Sequence, residues 1–535
     1  MRILRLAGLC GVFSILKYTL AHTLEDQQYE PTPQTTFLHP KPLDPFIASR
    51  IYEYKTKIKE MYYMSVEGYL YYAYPKDGLS PLACRGLNTI GNGFALNLIE
   101  SLGTAVVLED AEVFSRLVNL IKYIDVEQDI DVSVMEINTR IIGGLLSAHI
   151  LIYLDESFNQ EYDESLLVVA IGIAKKILAA FDTPTGLPYE RINLLNGIEQ
   201  SQSTVVCIAC ATKFNLEFTW LSHLTDDPIY EQTARKAIRA IWDRRSKLNL
   251  FGSHIDVVSG EWIHPDCFLG GGIEGFVEYL LKTHISFSDE KEYGIMFKEI
   301  YQAVKLYMQK SDHQYASVNL ESGATISSKQ MFFDTIWPSI QVLSGNILEA
   351  DQVWKHTARY LALSPFLPDT TSMPRQDNAE TENEYLLQSE TAESLWHLYA
   401  ATKDESILEM VFELIDRLNM LTRTECGFAS ISNIVSLEKK DKTPLAFISK
   451  TLKYLYLILD QKNEFNVGNY IFNAEGHVFP AYDTFRTLFH PKSDDTSTAD
   501  RTHKKVFSTT QSSHHDDKND AFLAGIKLNI CPIGG

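Results

Sequence analysis

The chain has 535 residues, 45% of them apolar and 22% charged, a composition that fits a globular protein long enough to bury a large core. Its formal net charge of −21 excludes a nucleic-acid binder, which needs a basic footprint. The same acidity says little about a neutral ligand.

In chain order, the first element is a targeting segment. Arg2 and Arg5 precede an apolar stretch at 6–16, Lys17 interrupts it, and Ala21 offers a small residue for cleavage. The stretch is too short to span a bilayer comfortably, so residues 1–21 read as a signal peptide. No other run of eighteen apolar residues is visible, so no transmembrane span is expected. Residues 22–46 are polar and carry Pro31, Pro33, Pro40, Pro42 and Pro45, the composition of a linker.

From about Ile47 apolar residues recur at helical spacing, as at 113–124, 141–154, 166–181, 227–242 and 448–459. Short turns such as Thr183-Pro184-Thr185-Gly186 separate them. Strand patterns are few and short, at 252–258 and 469–472. Residues 47–490 therefore read as an all-α domain of helix pairs with short β-hairpin inserts. Successive pairs must bury their apolar faces on neighbours, which suits a closed α/α toroid. No fixed repeat period supports an open solenoid. Residues 491–535 form a polar tail expected to be disordered. Within it, His514-His515-Asp516-Asp517 reads as solvated polarity rather than a metal site.

Cys10 leaves with the signal peptide, and six cysteines then face an oxidising lumen, where disulfides persist. Their pairing is open from the sequence alone. Cys207 and Cys210 form a C-x-x-C without the βαβ context of a redox motif, so buried packing is the expected role. Cys531, in the tail, suits either an intermolecular disulfide to an oxidoreductase or no role at all. There is no Asn-x-Ser/Thr sequon and no C-terminal ER-retention tetrapeptide.

The chain holds 69 Asp and Glu residues, so a carboxylate by itself says little. The informative ones lie among apolar residues, where an ionised group must be paired or functional. Glu136 leads into the apolar helix at 141–154, and Arg140 lies one turn on, able to pair with it. Glu274 follows Gly270-Gly271-Gly272, a run that lets the backbone approach a ligand closely. Glu390 lies in Ser389-Glu390-Thr391-Ala392-Glu393. Taken singly, each fits a helix cap or a structural ion pair. Taken together, separated carboxyls suit inverting hydrolysis of a glycosidic bond, in which one protonates the leaving oxygen and another activates water.

A set of short motifs changes the weight of these residues. In order they include Pro81-Leu82-Ala83-Cys84, Glu136-Ile137-Asn138-Thr139-Arg140-Ile141-Ile142-Gly143-Gly144, Thr185-Gly186-Leu187-Pro188-Tyr189 and Gly252-Ser253-His254-Ile255-Asp256. Glu278-Tyr279-Leu280-Leu281, Glu425-Cys426-Gly427-Phe428 and Lys453-Tyr454-Leu455-Tyr456 follow. Over about residues 52–480 the chain resembles the glycoside hydrolase family 47 α-1,2-mannosidases, above all their ER degradation-enhancing branch. The resemblance implies an (α/α)7 barrel with a sugar site in its bore, an inverting mechanism and a calcium ion at the base of the pocket. It implies Glu136 as proton donor, Glu274 in place of a catalytic Asp, Glu390 as water-activating base and Arg140 as a substrate-binding residue. It also implies a disulfide between Cys84 and Cys426, location in the ER lumen, and high-mannose N-glycans of misfolded glycoproteins as partners.

The departures are as specific. Ala474, in Ala474-Glu475-Gly476-His477, stands where the resemblance implies a calcium-binding Thr, so a hydroxyl ligand is absent and calcium affinity should fall. Pro444 and Lys450 replace two pocket glutamates, Gln388-Ser389 replaces Arg-Pro, and Gly103 replaces an Asp. Two readings follow: an α-1,2-mannosidase with an altered pocket, or a lectin- or chaperone-like receptor for glycan or misfolded chain on the same fold.

Overall fold

Helix α1 (Pro45–Tyr72) begins at the last proline of the expected linker, where a missing N–H leaves no helical bond unmade. In this computed structural model residues 45–489 are described, apart from 91–92, 123, 159–161, 200, 311–312, 328–329, 332–334, 362–363, 368–369, 372–383 and 388. The signal peptide, all of the linker before Pro45, the polar tail, Gln388, Cys531 and the His514–Asp517 run lie outside the described residues. The chain divides into two units, Met1–Phe485 and Arg486–Gly535. Of the second, only residues 486–489, the end of a helix Tyr482–Phe489, are described.

After α1 come α2 (Leu96–Val107), α3 (Ala111–Ile121), α4 (Val134–Leu154), α5 (Ser165–Ile177), α6 (Ile208–Thr212), α7 (Asn215–Thr225) and α8 (Ile229–Trp242). Then follow α9 (Glu274–Ser286), α10 (Lys291–Ala303), α11 (Trp337–Leu343), α12 (Ile347–Leu361), α13 (Glu390–Thr402), α14 (Glu405–Arg417) and α15 (Lys453–Leu459). They fall into two environments. Helices α2, α4, α7, α9, α11, α13 and α15 are buried on nearly every side. Helices α3, α5, α8, α10 and α14 bury one stripe only.

Contacts explain the difference. The buried helices touch in sequence, α2–α4–α7–α9–α11–α13–α15, and α15 with the π-helical turn before it returns to α2. Each also pairs with an outer neighbour: α3, α5, α8, α10, α12, α14 and, for α15, the first helix α1. This is an (α/α)7 barrel. In a ring of up-and-down pairs all inner helices run the same way, so their N-termini gather at one end. Short antiparallel strands feed that end. Asp131–Ser133, paired with Arg191–Asn193, runs into α4, and Val205–Cys207, paired with His254–Asp256, runs into α6.

One helix passes the length and composition test for a membrane span, and one expectation needs correction. Helix α4 is long and apolar enough to cross a membrane, but 83% of its apolar window is buried, as in the core helix of a globular protein. Cys207 and Cys210, expected as buried packing, are half-buried and bonded to each other. Three residues apart across a strand-to-helix step, their Cα atoms lie 5.0 Å from each other, within disulfide range. Cys84 and Cys426 are also bonded, 342 residues apart, and among the described cysteines Cys267 is free and buried.

Candidate active site

The sequence-predicted carboxylates all lie at the gathered N-termini. Glu136 ends the first turn of α4, Glu274 is the first residue of α9, and Glu390 is the first residue of α13. Their exposure differs in a way the sequence does not show. The side chain of Glu136 is 41% exposed and that of Glu390 17%, whereas Glu274 is buried.

Arg140 organises one side of the bore. It sits in a π-helical turn, Ile137–Ile142, inserted in α4. Such widened turns re-aim side chains and recur at functional sites. Its guanidinium lies 2.9 Å from Glu100 of α2, 2.7 Å from Glu475 and 3.7 Å from Glu136. Burial would discharge it, but Glu475, Glu100 and Glu136 outweigh burial and hold it charged. Glu100 is fully buried, so removing Arg140 would strand a carboxylate in the core, at a cost of roughly 3–5 kcal/mol.

The floor is a hairpin. Tyr470–Phe472 pairs with Val478–Pro480, and the turn between them carries Asn473 to His477. Asn473 Nδ2 donates to the Thr139 carbonyl of α4 and to Glu217 of α7, both at 2.8 Å. Ser147 of α4 accepts the Val478 N–H, and Lys453 of α15 donates to the Gly476 carbonyl at 2.5 Å. The turn thus meets the inner ring from several directions and closes the bore. Glu217 also accepts from Tyr279 and Asn138. Burial pushes its carboxyl up to about 7 despite these donors.

A chain of lysines forms the other side. Lys450, 3% exposed, lies in a second π-helical turn, Phe447–Leu452, ahead of α15. Its ammonium is 3.4 Å from Glu390 and 3.1 Å from Glu393. Glu393 also meets Lys282 at 3.0 Å, and Lys282 meets Glu278 at 2.5 Å. Burial would raise the Glu393 carboxyl, but Lys282 and Lys450 prevail and hold it at about 2. Glu274 faces the opposite balance. Burial pushes it up, and Lys213 and the Gly271 N–H, 3.0 Å from Oε1, offset only part of that. Its Oε2 is buried without a hydrogen-bond partner.

The structure therefore brings Glu136, Arg140 and Glu475 together on one side and Glu390 with Lys450 on the other. Sequence reading missed Glu100, Glu278, Glu393 and Glu475. The same criterion that singled out Glu136 applies to Glu100, a lone acid in the apolar segment Leu96–Val107. Glu393 lies one turn beyond Glu390, and Glu278 and Lys282 are an i,i+4 pair.

The residues around Ala474 do not fit a calcium ion. Ala474 offers no side-chain oxygen, and the neighbouring Gly476 carbonyl is taken by Lys453. Glu390, Glu393 and Glu475 each already meet a lysine or arginine. A hard cation needs six to eight oxygens free to turn toward it.

Comparison with known proteins agrees with the fold and with the motifs. The model of glycosyl hydrolase family 47 matches residues 61–481. Alpha-mannosidase I MNS4 of Arabidopsis thaliana is 36% identical over 437 residues, 80% of this chain and 69% of that one. ER degradation-enhancing alpha-mannosidase-like protein 2 of Homo sapiens is 34% identical over 450 residues, 79% of this chain and 77% of that one. Among solved structures, alpha-1,2-mannosidase from Trichoderma reesei has a TM-score of 0.71 at 22% identity, covering 82% of this chain and 99% of that one, a likeness of fold. With a closed ring of seven helix pairs and a family match spanning most of the barrel, the chain belongs to glycosyl hydrolase family 47.

Proposed function

We propose that the protein is an α-1,2-mannosidase-like protein of the ER lumen that handles high-mannose N-glycans of misfolded glycoproteins in ER-associated degradation. The relatives named mannosidases and ER degradation-enhancing mannosidase-like proteins support the role. The observation that carries the chemistry is the placement of Glu136 and Glu390 at the mouth of one bore, both reached by solvent.

In this reading Glu136 protonates the leaving oxygen, and Arg140, 3.7 Å away, fixes its direction. Glu390 activates water, with the Lys450 ammonium as the charge partner of its carboxylate. Glu274, whose burial favours the protonated form, supports the sugar or passes a proton. Mannose hydroxyls meet Arg140 and Glu475 at the floor.

One observation favours a binding-only receptor as the second reading. Glu274 is turned back onto the Gly271 N–H of its own turn, which is the geometry of a helix cap.

The test is trimming of a high-mannose N-glycan by the purified protein beside Glu136→Gln. Loss of mannose that falls by about 10²–10⁴-fold in the variant establishes the enzyme. Glycan binding with no trimming by either protein establishes the receptor.

A further inference from the structure

The floor of the bore carries positive charge of its own where the family resemblance implies a metal. Lys450 sits among carboxylates from three directions. Glu390 and Glu393 come from α13, at 3.4 and 3.1 Å, and Glu278 and Glu475 act on it from α9 and from the hairpin turn. Burial alone would neutralise an amine in this position, but these acids keep it protonated. Lys453, one turn on, donates to the carbonyl of Gly476, two residues beyond Ala474. Lys282 completes the set on the far side of Glu393. Of the oxygens near Ala474, the Gly476 carbonyl and the Glu390 and Glu393 carboxylates are thus already met by lysines, and Glu475 by Arg140.

Charge bookkeeping points the same way. The resemblance implies a glutamate where Lys450 stands. A carboxylate with a divalent ion beside it sums to +1, and a lysine is +1. Taken alone, the exchange of glutamate and metal for one lysine is charge-neutral, and the two further acids that the resemblance implies at Pro444 and Gly103 are absent, so the site is no more negative without the metal. Retaining the metal as well would set a divalent ion against the Lys450 ammonium in competition for Glu390 and Glu393, where repulsion is weakly screened.

We propose that Lys450 is the fixed cation of this bore, positioning Glu390 and Glu393 in place of a divalent metal, so that the site is organised without calcium. The metal half of this inference stands on the floor residues alone. Its bearing on sugar rests on the proposed function.

The test compares thermal unfolding and calorimetric titration of the full chain in EGTA and in about 1 mM calcium chloride, since a ligand present far above its Kd raises Tm measurably. The expected result is no heat of binding and the same Tm in both buffers. A stoichiometric calcium site, or a Tm several degrees higher in calcium, overturns the proposal. The double variant Lys450→Glu with Ala474→Thr is expected to gain a calcium-dependent rise in Tm. Should that variant not fold, the wild-type comparison decides alone.

A third arm measures binding of α-1,2-mannobiose in the same two buffers. Equal binding in EGTA and calcium, weakened about tenfold or more in Lys450→Met and not restored by calcium, supports the proposal. Binding that appears only with calcium overturns it. Absence of mannobiose binding in both buffers sinks the proposed sugar function, while the calcium titration still decides the role of Lys450.

Discussion

Lys450 and Arg140 share a residue-level logic. Each is a long cation in a π-helical turn of an inner helix, Lys450 buried and Arg140 mostly so, and kept charged by acids from several elements. Buried charges are tolerated only in such company, and each acid they bind is held in one orientation. His397 is the counter-case. It lies in α13 one turn from Glu393 and hydrogen-bonds Ser339 at 2.8 Å. Burial drives its imidazole down to about 4, against the pull of Glu393. The unfolded chain titrates near 6.5, so between that pH and about 4 it binds more protons than the native state. Stability from this group is therefore full above about pH 6.5 and is lost as pH falls through 4, to the order of 3 kcal/mol. His397→Gln should flatten this acid limb while lowering stability at neutral pH through the altered bond to Ser339. Urea midpoints at pH 7, 5.5 and 4.5 measure both effects, and parallel curves for the two proteins would refute the assignment.

At the scale of elements, the period of apolar residues places the helices well. Residues 227–242 fold as Ile229–Trp242 and 113–124 as Ala111–Ile121. Periodicity fails where one helix changes its turn. The stretch at 448–459 is a π-helical turn followed by an α-helix, and no apolar pattern distinguishes the two. The strand patterns at 252–258 and 469–472 fold as His254–Asp256 and Tyr470–Phe472, while the other strands of two to four residues are too short for alternation to form a pattern. Close approach between elements is more local. Gly68 in α1 faces the Cys426 carbonyl so closely that a Cβ would lie 2.1 Å from that oxygen. Backbone cannot yield as a side-chain tip does, so Gly68→Val is expected to cost about 1–3 kcal/mol or more. A urea midpoint equal to wild type would show that α1 moves freely against this loop.

The whole molecule is decided by closure. Helix α1 is the staple between the two ends of the array. Arg50 and Lys57 pair with Glu409 and Asp416 of α14, at 2.6 and 3.0 Å. On the other side Glu67 meets Arg116 of α3 at 2.7 Å. The Cys84–Cys426 disulfide spans the same junction across 342 residues. In the chain-entropy model this loop is worth roughly 6 kcal/mol and the Cys207–Cys210 loop only about 2 kcal/mol. Replacing both cysteines of the long pair by Ser should therefore lower stability more than twice as far as replacing both of the short pair. Denaturant titration of the two double variants checks the order, and equal losses would show that closure does not depend on the long disulfide.

The sequence by itself determined the helical class, the paired-helix architecture, the family motifs and the carboxylates that lead the inner helices, because periodicity and local spacing are properties of contiguous residues. The family resemblance also implies that Ala474 and Lys450 are departures. Only the tertiary structure decided which groups surround them. The partners of Lys450 lie in α9, α13 and the hairpin turn, and those of Arg140, besides Glu136 one turn back, are Glu100 of α2 and Glu475 of that same turn, 40 and 335 residues away. Whether a buried lysine is an unpaired charge or the organising cation of a site depends on groups that only ring closure brings within about 3 Å of it.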